Sequence, residues 1–553
     1  MSVEKLIVDH METWTSALQT RSTAGRGSSG KIDLYGIKKL RELILELAVR
    51  GKLVPQDPND EPASDLLKRI AAEKAELVKQ GKIKKQKPLP EISEEEKPFE
   101  LPEGWEWVHL PDIYCSISES SRKIKSSEIL PEGKYPVIEQ SQEFISGYCN
   151  NECLLIKLNN PVIVFGDHTR NIKFIDFDFV VGADGVKILS PILICERFFF
   201  WQLRSFKLDV RGYARHFKVL NSCLFALPPI AEQERIVEKV SSLMSLCDQL
   251  EQQSLTSLDA HQQLVETLLG TLTDSQNTAE LAENWARISE HFDTLFTTEA
   301  SVDALKQTIL QLAVMGKLVP QDPNDEPASE RLKRIAQEKA QLVKEGKIKK
   351  QKPLPPISDE EKPFELPEGW EWCRIGNIVN IKSELVSPKD YLNLYQVAPD
   401  IIEKGTGRVI SKRTVKESGV KGPNSRFYKG QIVYSKIRPS LSKVFLAEYN
   451  GLCSADMYPL DCYINPNYLL KYILSIPFLM QVKKAENRIK MPKLNSDSFY
   501  NIIVAIPPYN EQQAIFDKIN SIEAVCNGLI SYIGIYHKTQ LHLADALTDA
   551  AIN

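Results

Sequence analysis

The chain has 553 residues, 42% of them hydrophobic and 26% charged, and its formal net charge at pH 7 is −4. This composition is typical of globular proteins, and the length predicts several domains rather than one core. The longest apolar runs stop well short of the ~18–20 residues of a membrane span, and the N-terminus lacks a secretory signal pattern, so we expect a cytoplasmic protein.

In chain order, the first recognisable feature is a repeated segment. Residues 47–107 align without gaps with residues 312–372, and 53 of the 61 positions are identical. Each copy begins with an apolar helical pattern that a glycine stops, at Gly51 or Gly316. A second helix is predicted at about 63–81 of the first copy, followed by a charged, proline-rich linker and the string FELPEGWEW.

A variable segment follows each copy, at residues 108–227 and 373–506. Both segments contain short stretches of β-branched and aromatic residues punctuated by Gly, Asn and Pro, which predicts mixed α/β domains with loops on one face. VIVFGDHTR from Val162 aligns with QIVYSKIRP from Gln431, so the framework is shared while the loop residues differ.

The charge of the two variable segments differs. The first holds 14 Lys and Arg against 13 Asp and Glu, whereas the second holds 20 against 10. A basic segment in an acidic chain indicates a nucleic-acid contact that is confined to the variable parts. The first segment is nearly neutral and gives little charge signal of its own.

Each variable segment ends in a second, weaker repeat. ALPPIAEQERIVEKV begins at Ala226 and AIPPYNEQQAIFDKI at Ala505. Apolar residues then recur with spacings of 4, 3, 4 and 3, which is typical of a coiled-coil seam, and the Pro-Pro pair suits a helix start. We predict two helices of about 40 residues, or ~60 Å at ~1.5 Å per residue.

This layout resembles the specificity subunit of type I restriction–modification systems. The resemblance is carried by the two PPxxEQ turns, Pro228 to Gln233 and Pro507 to Gln512, and by LPEGWEW before each variable domain. It covers essentially the whole chain. It implies two target-recognition domains in opposite orientations, each reading one half of a bipartite DNA sequence. It also implies docking of two modification subunits that methylate adenine and, through them, of restriction subunits.

The fold expected from the repeats and the resemblance is α+β. Two α/β target-recognition domains would be joined by long antiparallel coiled-coil helices, with an internal pseudo-two-fold duplication. The predicted regions are an N-terminal helical region at 1–107, the first recognition domain at 108–227, a central helical region at 228–372, the second recognition domain at 373–506 and a C-terminal helix at 507–553.

Basic and polar loop residues are the candidates for DNA contact, because Arg and Lys reach guanine and phosphate. In the first domain they are Arg122, Lys123, Lys125, His168, Arg170, Lys173, Arg211, Arg215, His216 and Lys218. In the second domain they are Lys412, Arg413, Lys416, Lys421, Arg426, Lys436, Arg438, Lys443, Lys483, Lys484, Arg488, Lys490 and Lys493. Any single one of them could equally be a solvated surface charge.

A second candidate set belongs to the PPxxEQ turns and the seams behind them. We assign these residues to the scaffold and to partner docking: Pro228, Glu232, Gln233, Ile236, Val240, Leu243, Pro507, Glu511, Gln512, Ile515, Ile519 and Ile522.

No catalytic, metal or cofactor site is predicted in the chain itself. GRGSSGK from Gly25 resembles a phosphate-binding loop, but Ile32 stands where the Mg²⁺-binding Ser or Thr is needed. PPY at Pro507 lacks the preceding Asn of adenine methyltransferases, since Ile506 stands there. S-adenosylmethionine, ATP and Mg²⁺ are expected on partner subunits. Two alternatives stay open: a DNA-modifying enzyme with an unrecognised motif, and a coiled-coil adaptor that binds only protein.

Overall fold

The computed structural model describes residues 3–21, 31–85, 87–117, 122–182, 185–208, 215–486 and 492–552. The chain divides into two units, Met1–Ser257 with Tyr536–Asn553, and Leu258–Ile535. None of the described helices is long and apolar enough to cross a membrane.

Unit 1 combines scaffold helices with the first variable domain. Its helices are α1 (Val3–Asp9), α2 (Met11–Ser16), α3 (Tyr35–Val49), α4 (Ala63–Lys79), α5 (Glu196–Ser205), α6 (Phe217–Leu220) and α7 (Ile230–Asp274), the last of which continues into unit 2. Its strands are β1 (Gln19–Arg21), β2 (Lys31–Asp33), β3 (Glu106–His109), β4 (Tyr114–Ile117), β5 (Tyr135–Ile138), β6 (Gly147–Cys149), β7 (Leu155–Ile156), β8 (Val162–Gly166), β9 (Ile172–Ile175), β10 (Phe179–Val181), β11 (Val186–Pro191) and β12 (Leu224–Leu227).

Unit 2 repeats this plan around the second variable domain. Its helices are α8 (Thr278–Glu290), α9 (Phe292–Leu295), α10 (Glu299–Val314), α11 (Ala328–Lys344), α12 (Ile375–Ile378), α13 (Val415–Ser418), α14 (Pro466–Ile473), α15 (Ile476–Ala485), α16 (Ser496–Asn501) and α17 (Tyr509–Ile552), the last of which continues into unit 1. Its strands are β13 (Glu371–Arg374), β14 (Val379–Ile381), β15 (Leu385–Val386), β16 (Tyr395–Val397), β17 (Asn424–Phe427), β18 (Ile432–Ser435), β19 (Val444–Leu446), β20 (Gly451–Ser454), β21 (Met457–Cys462) and β22 (Ile503–Ile506).

The two long helices have 45 and 44 residues, close to the predicted length, and both begin directly after the Pro-Pro pair. In unit 1 the seam of α7 is buried, with Val240 and Cys247 fully inaccessible. It belongs to one apolar cluster with α3 and with Ala544 of α17. In unit 2 Ile515 and Ile519 of α17 share a cluster with α10 and with Leu269 of α7. Each scaffold core therefore contains parts of both long helices.

The repeated lysines after Gly51 and Gly316 contact the ends of the long helices. In unit 1 Lys52 Nζ donates a hydrogen bond to the carbonyl of Ile552, in α17, at 2.6 Å. In unit 2 Lys317 Nζ donates to the carbonyls of Thr273 and Ser275, at the end of α7, at 2.8 and 2.9 Å. These carbonyls lack partners within the helix, so a lysine there acts as a C-terminal cap.

Each variable domain is built from two four-stranded sheets and a two-stranded sheet. The orders β4-β11-β8-β9 and β14-β21-β18-β19 are equivalent and wholly antiparallel. The strand register confirms the sequence alignment, in which Phe165 matches Tyr434. Phe165 of β8 pairs with Lys187 of β11, and Tyr434 of β18 pairs with Tyr458 of β21, the equivalent strand.

The second sheets differ at one edge. In the order β6-β5-β10-β7 the parallel pair is β5 with β10, and in β15-β17-β20-β16 it is β16 with β20. In the first domain the fourth strand is β6, which pairs with β5. In the second domain it is β15, which pairs with β17 at the opposite edge of the sheet. The framework is thus shared while one edge is rebuilt.

The entry and exit of each domain lie side by side. β3 pairs antiparallel with β12, and β13 with β22, in registers that place Glu106 opposite Leu227 and Glu371 opposite Ile506. The predicted domain starts at 108 and 373 therefore fall inside β3 and β13.

Candidate nucleic-acid interface

A buried carboxylate fastens each variable domain to its long helix. Glu232, in the first turn of α7, accepts hydrogen bonds from Trp105 Nε1 at 2.9 Å and from Gln56 Nε2 at 3.0 Å. Gln56 Nε2 also lies 2.6 Å from the carbonyl of Gly51. The repeat, the LPEGWEW string and the PPxxEQ turn thus meet at one carboxylate.

The second half of the chain builds the same anchor. Glu511 accepts from Trp370 Nε1 at 3.0 Å and from Gln321 Nε2 at 3.3 Å. Burial raises the pKa of both glutamates above the usual range, while the hydrogen bonds from Trp and Gln oppose that rise. These contacts explain why the three motifs occur together.

The glutamine that follows each glutamate closes the turn. Gln233 Oε1 accepts from the backbone N–H of Cys195 at 2.9 Å, and its Nε2 donates to the carbonyl of Pro228 at 3.0 Å. Gln512 makes the matching bonds to Asn465 N and Pro507 O at 2.9 and 3.0 Å. Since both amides are fully inaccessible, the turn is a structural joint between domain and helix.

These contacts place the motif residues in the scaffold. Their side chains are buried or half-buried within their own unit, because the anchors and the apolar clusters use their surfaces. The residues concerned are Pro228, Glu232, Gln233, Ile236, Val240, Leu243, Pro507, Glu511, Gln512, Ile515, Ile519 and Ile522. They contribute to the scaffold, and their part in partner docking stays a prediction.

In the first domain several predicted contact residues lie in loops that meet beside Gln140. Its Oε1 accepts from His168 N at 3.2 Å, and its carbonyl accepts from Asn171 Nδ2 at 2.9 Å. Asp167, which precedes His168, is 4% exposed, and its Oδ1 accepts from Phe217 N at 2.8 Å. The loops after β5 and β8 and the segment before α6 therefore form one surface.

Not every predicted residue of this surface faces solvent. Lys173 is 6% exposed, and its Nζ donates to the carbonyls of Glu139 and Glu143 at 2.8 and 2.5 Å. Its pKa is lowered, chiefly because it is buried. His216 is 1% exposed, with Nδ1 3.1 Å from the carbonyl of Asp167. Both side chains shape the loops from inside, which corrects their prediction as direct contacts in this conformation.

The other predictions in the first domain are placed as follows. Arg170 is half-buried and donates through Nη1 to the carbonyl of Leu208 at 2.8 Å. His168 is half-buried. The exposed ones are Arg122, Lys123, Lys125, Arg215 and Lys218. Arg211 lies outside the described residues.

In the second domain four of the predicted residues contact carboxylates or carbonyls of the same domain. Lys436 and Lys493 approach the same carboxylate, Asp456, at 3.9 and 2.9 Å. Arg413 pairs with Asp400 at 3.1 Å, and Lys443 Nζ donates to the carbonyl of the neighbouring Pro399. Burial lowers the pKa of Lys436.

The remaining predicted contact residues of this domain are mostly open to solvent. Arg426 is the exception, half-buried at 3.6 Å from Glu384 and stacked over aromatic rings. The exposed side chains are Lys412, Lys416, Lys421, Arg438, Lys483 and Lys484. Arg488 and Lys490 lie outside the described residues.

Sequence reasoning missed an aromatic contribution to the second domain. Arg426 lies 5.2 Å from the ring centre of Tyr391 and 5.0 Å from that of Tyr428. Lys412 lies 5.4 Å from the ring centre of Tyr449. Only the spacing of tyrosines and basic residues could have signalled this, and that spacing is irregular because the partners come from different strands and loops. Such cation–π contacts orient guanidinium and ammonium groups at a surface.

The charged and amide groups of the variable domains lie mainly in their loops and at the ends of their strands and helices. Within the described residues no group of three or more His, Cys, Asp or Glu is placed to hold a metal ion. The loops of both domains instead present basic and amide groups on a rigid frame, as direct reading of base edges and phosphates requires.

Comparison with known proteins identifies the family. The model of the type I restriction modification DNA specificity domain matches residues 102–260 and 367–533, which frame both variable domains and both anchors. The chain belongs to the type I specificity-subunit family. It is 51% identical to the type I restriction enzyme EcoAI specificity subunit of Escherichia coli, over 100% of both chains. It is 48% identical to the Escherichia coli EcoEI specificity subunit, again over 100% of both.

A solved structure also resembles this specificity subunit at low identity. The crystal structure of the HsdS subunit from Thermoanaerobacter tengcongensis is 16% identical, covering 83% of this chain and 98% of that chain, with a TM-score of 0.37. As a member of the family, the specificity subunit supplies DNA recognition, and not catalysis, to a type I restriction–modification system.

Proposed function

We propose that the two variable domains read the two halves of a bipartite, asymmetric DNA site. The observation that carries the proposal is the duplicated anchor: Trp105 with Glu232, and Trp370 with Glu511, hold two domains of equivalent framework and different loops. Two domains with different loops, attached to the long helices in the same way, would recognise two different sequences. The names of the relatives support the DNA-recognition role.

A pseudo-two-fold arrangement of the two halves is part of this proposal. Its support is the reciprocal capping, in which Lys52 of the first repeat holds the end of α17 while Lys317 of the second holds the end of α7. Isologous contacts of this kind are typical of two-fold symmetry. With antiparallel long helices between the readers, half-sites on one face of DNA would lie about one turn, or ~34 Å, apart.

The partners we propose are two modification subunits that methylate adenine, with restriction subunits bound through them in the full complex. Two near-identical repeats, one in each half, suit two copies of one partner. S-adenosylmethionine, ATP and Mg²⁺ would then belong to the partners, and this chain would hold no cofactor of its own.

Mapping of methylated adenines tests the proposal. The full chain is co-expressed with its modification subunit, and the methylated positions of the host DNA are sequenced. We expect one motif with two defined half-sites and a fixed spacer. Methylation at a contiguous site, or methylation that does not depend on this chain, would contradict the proposal.

A second arm addresses the catalytic alternative. The chain alone is incubated with DNA and labelled S-adenosylmethionine, and no methyl transfer is expected. Measurable turnover would show that the chain itself is a methyltransferase. If the complex with the modification subunit fails to shift a DNA duplex at low salt, the alternative of a protein-only adaptor is favoured.

A further inference from the structure

Two arginines adopt a backbone conformation that arginine rarely takes. Among the described residues four non-glycine residues have a left-handed φ, and two of them are Arg170 at 62° and Arg438 at 46°. Each lies in the loop that follows one of the equivalent strands β8 and β18. Glycine would adopt this φ without steric cost, so the surrounding structure must hold an arginine in it, and the contacts of each side chain indicate what that side chain contributes.

Contacts within the chain account for Arg170. Its Nη1 donates to the carbonyl of Leu208 at 2.8 Å, and the residue is half-buried. The side chain therefore tethers the loop after β8 to the segment after α5.

Arg438 has no such internal role. Its side chain is exposed, and it forms neither a hydrogen bond nor an ion pair with any residue in the ranges that the structure describes. The backbone around it is nevertheless fixed, since its N–H donates to the carbonyl of Pro492 at 2.8 Å and its own carbonyl accepts from Leu441 N at 2.9 Å. A fixed backbone thus presents a guanidinium group whose donors are not used by the described part of the chain.

The charged neighbours of Arg438 have partners within the chain. Lys436 and Lys493 are the neighbouring cations, and both lie near the carboxylate of Asp456. Glu486 Oε1 also accepts from Ser440 N, two residues along the loop, at 3.1 Å. Asp456 is thus partnered by lysines, whereas no described residue partners the Arg438 guanidinium, and an arginine on a loop with a fixed backbone suits paired acceptors on a base edge.

We propose that Arg438 is a specificity-determining residue that recognises a guanine in the half-site read by the second domain. Two of its N–H groups would donate to O6 and N7 in the major groove, the pairing that arginine makes most often with bases. The inference rests on the proposed function, and it adds the residue, the base and the domain. Arg170 would not read a base in the same way, because its guanidinium is engaged within the chain.

The test compares Arg438→Gly and Arg438→Lys in the full chain with its modification subunits. Methylation motifs are mapped as above. Both variants should lose discrimination at one guanine of the second half-site by about 5- to 100-fold, while the first half-site stays unchanged. Arg438→Gly should keep or raise the thermal unfolding midpoint, since it removes the strained side chain. Arg438→Lys keeps the positive charge and shows whether charge alone suffices.

A modified base supplies an independent readout. Duplexes in which 7-deazaguanine replaces that guanine lack N7. The wild-type complex should bind them more weakly than the unmodified duplex, whereas the Arg438→Gly complex should bind both duplexes with equal affinity. Arg408→Gly is the matched control, because Arg408 is an exposed arginine of the same domain that pairs with Glu403 at 3.1 Å. This control should leave base discrimination intact.

The outcomes separate the inference from the proposed function. If the wild-type complex returns no bipartite motif, the proposed function fails. If it returns one, but Arg438→Gly retains every base preference, the inference is overturned. The inference is equally overturned if Arg438→Gly weakens binding to all duplexes alike and lowers the salt dependence by about one phosphate contact.

Discussion

At the scale of single residues, the most informative group is the buried glutamate that opens each long helix. Glu232 and Glu511 each bring together three sequence motifs that are separated by up to 190 positions. A buried acceptor with two donors is costly to disturb, since removing either donor leaves it under-satisfied. The two repeats therefore make the same contacts at matching positions.

Substitution of Trp370 by Phe tests the anchor. The variant loses the indole N–H that donates to Glu511, and we expect a loss of about 2 kcal/mol in the free energy of unfolding. Urea denaturation monitored by far-ultraviolet circular dichroism measures this free energy. Trp372→Phe is the control, because the Trp372 side chain is half-buried and packs on Phe364 at 5.0 Å without donating a hydrogen bond to a described residue. Equal losses in both variants would contradict the role of the Trp370 donor.

The raised pKa of Glu232 predicts how stability varies with pH. Because burial raises the folded-state pKa, the stabilising contribution of Glu232 is fully present below its unfolded pKa and is lost as pH rises through the folded value. Gln cannot titrate, so Glu232→Gln should destabilise most at acid pH and least above neutrality. Thermal unfolding of both proteins from pH 5 to 8 measures the difference.

The neighbouring glutamate supplies the control for this pH effect. Glu234 is exposed, so Glu234→Gln should shift the unfolding midpoint little and by a similar amount at every pH. A Glu232→Gln penalty that grows with pH would show that the carboxylate is stabilised as the anion.

At the scale of elements, each repeat forms a pair of helices and also caps the C-terminal end of a long helix. α3 ends at Val49 and α10 at Val314, and the glycines that follow have φ of 66° and 71°. A Cβ at Gly51 would lie 2.3 Å from Pro102 Cγ, so the position needs glycine for space as well as for backbone conformation. The lysine next to each glycine then reaches the end of a long helix.

Lys52→Met and Lys317→Met test the two caps separately. Each variant keeps the aliphatic stem and loses the ammonium group that satisfies terminal carbonyls, at a cost of about 1 kcal/mol. Hydrogen exchange followed by mass spectrometry should show faster exchange in the last turn of α17 for Lys52→Met and in the last turn of α7 for Lys317→Met. Lys349→Met, in the exposed linker, should change neither. Faster exchange in both helix ends in both variants would argue against separate caps.

At the scale of the whole molecule, the first and last strands of each variable domain lie side by side. The antiparallel pairs β3 with β12 and β13 with β22 bring the two ends of each domain together. A domain with adjacent ends can be exchanged without moving the scaffold, because the connecting chain enters and leaves at one place.

Exchange of residues 108–227 for the matching segment of another family member tests this modularity. We expect the methylated motif to change in one half-site only, with the other half-site and the spacer unchanged, because the anchors and long helices are retained. The exchange of 373–506 is the reciprocal control and should change the other half-site. A change in both half-sites after either exchange would show that the domains do not read independently.

The sequence by itself determined the repeats, the start and length of the long helices, the buried seams and the shared strand framework. These are local or periodic properties, and the 4-3 spacing behind Glu232 and the Pro-Pro pair act within a few residues of chain. The prediction that the candidate contact residues lie in loops was only partly right, since Lys173 and Arg426 lie in strands and Lys483 and Lys484 lie in α15.

Only the tertiary structure decided which of those residues face inward. Lys173, His216 and the PPxxEQ side chains looked available because their chemistry is polar, but carbonyls and tryptophans from distant segments surround them. Three further features could not be predicted from the sequence. They are the aromatic partners of Arg426, the capping of the ends of α7 and α17 by lysines of the repeats, and the left-handed backbone of Arg438. Each depends on contacts between residues far apart in the chain, and such contacts leave no periodic signal because their spacing is set by the fold.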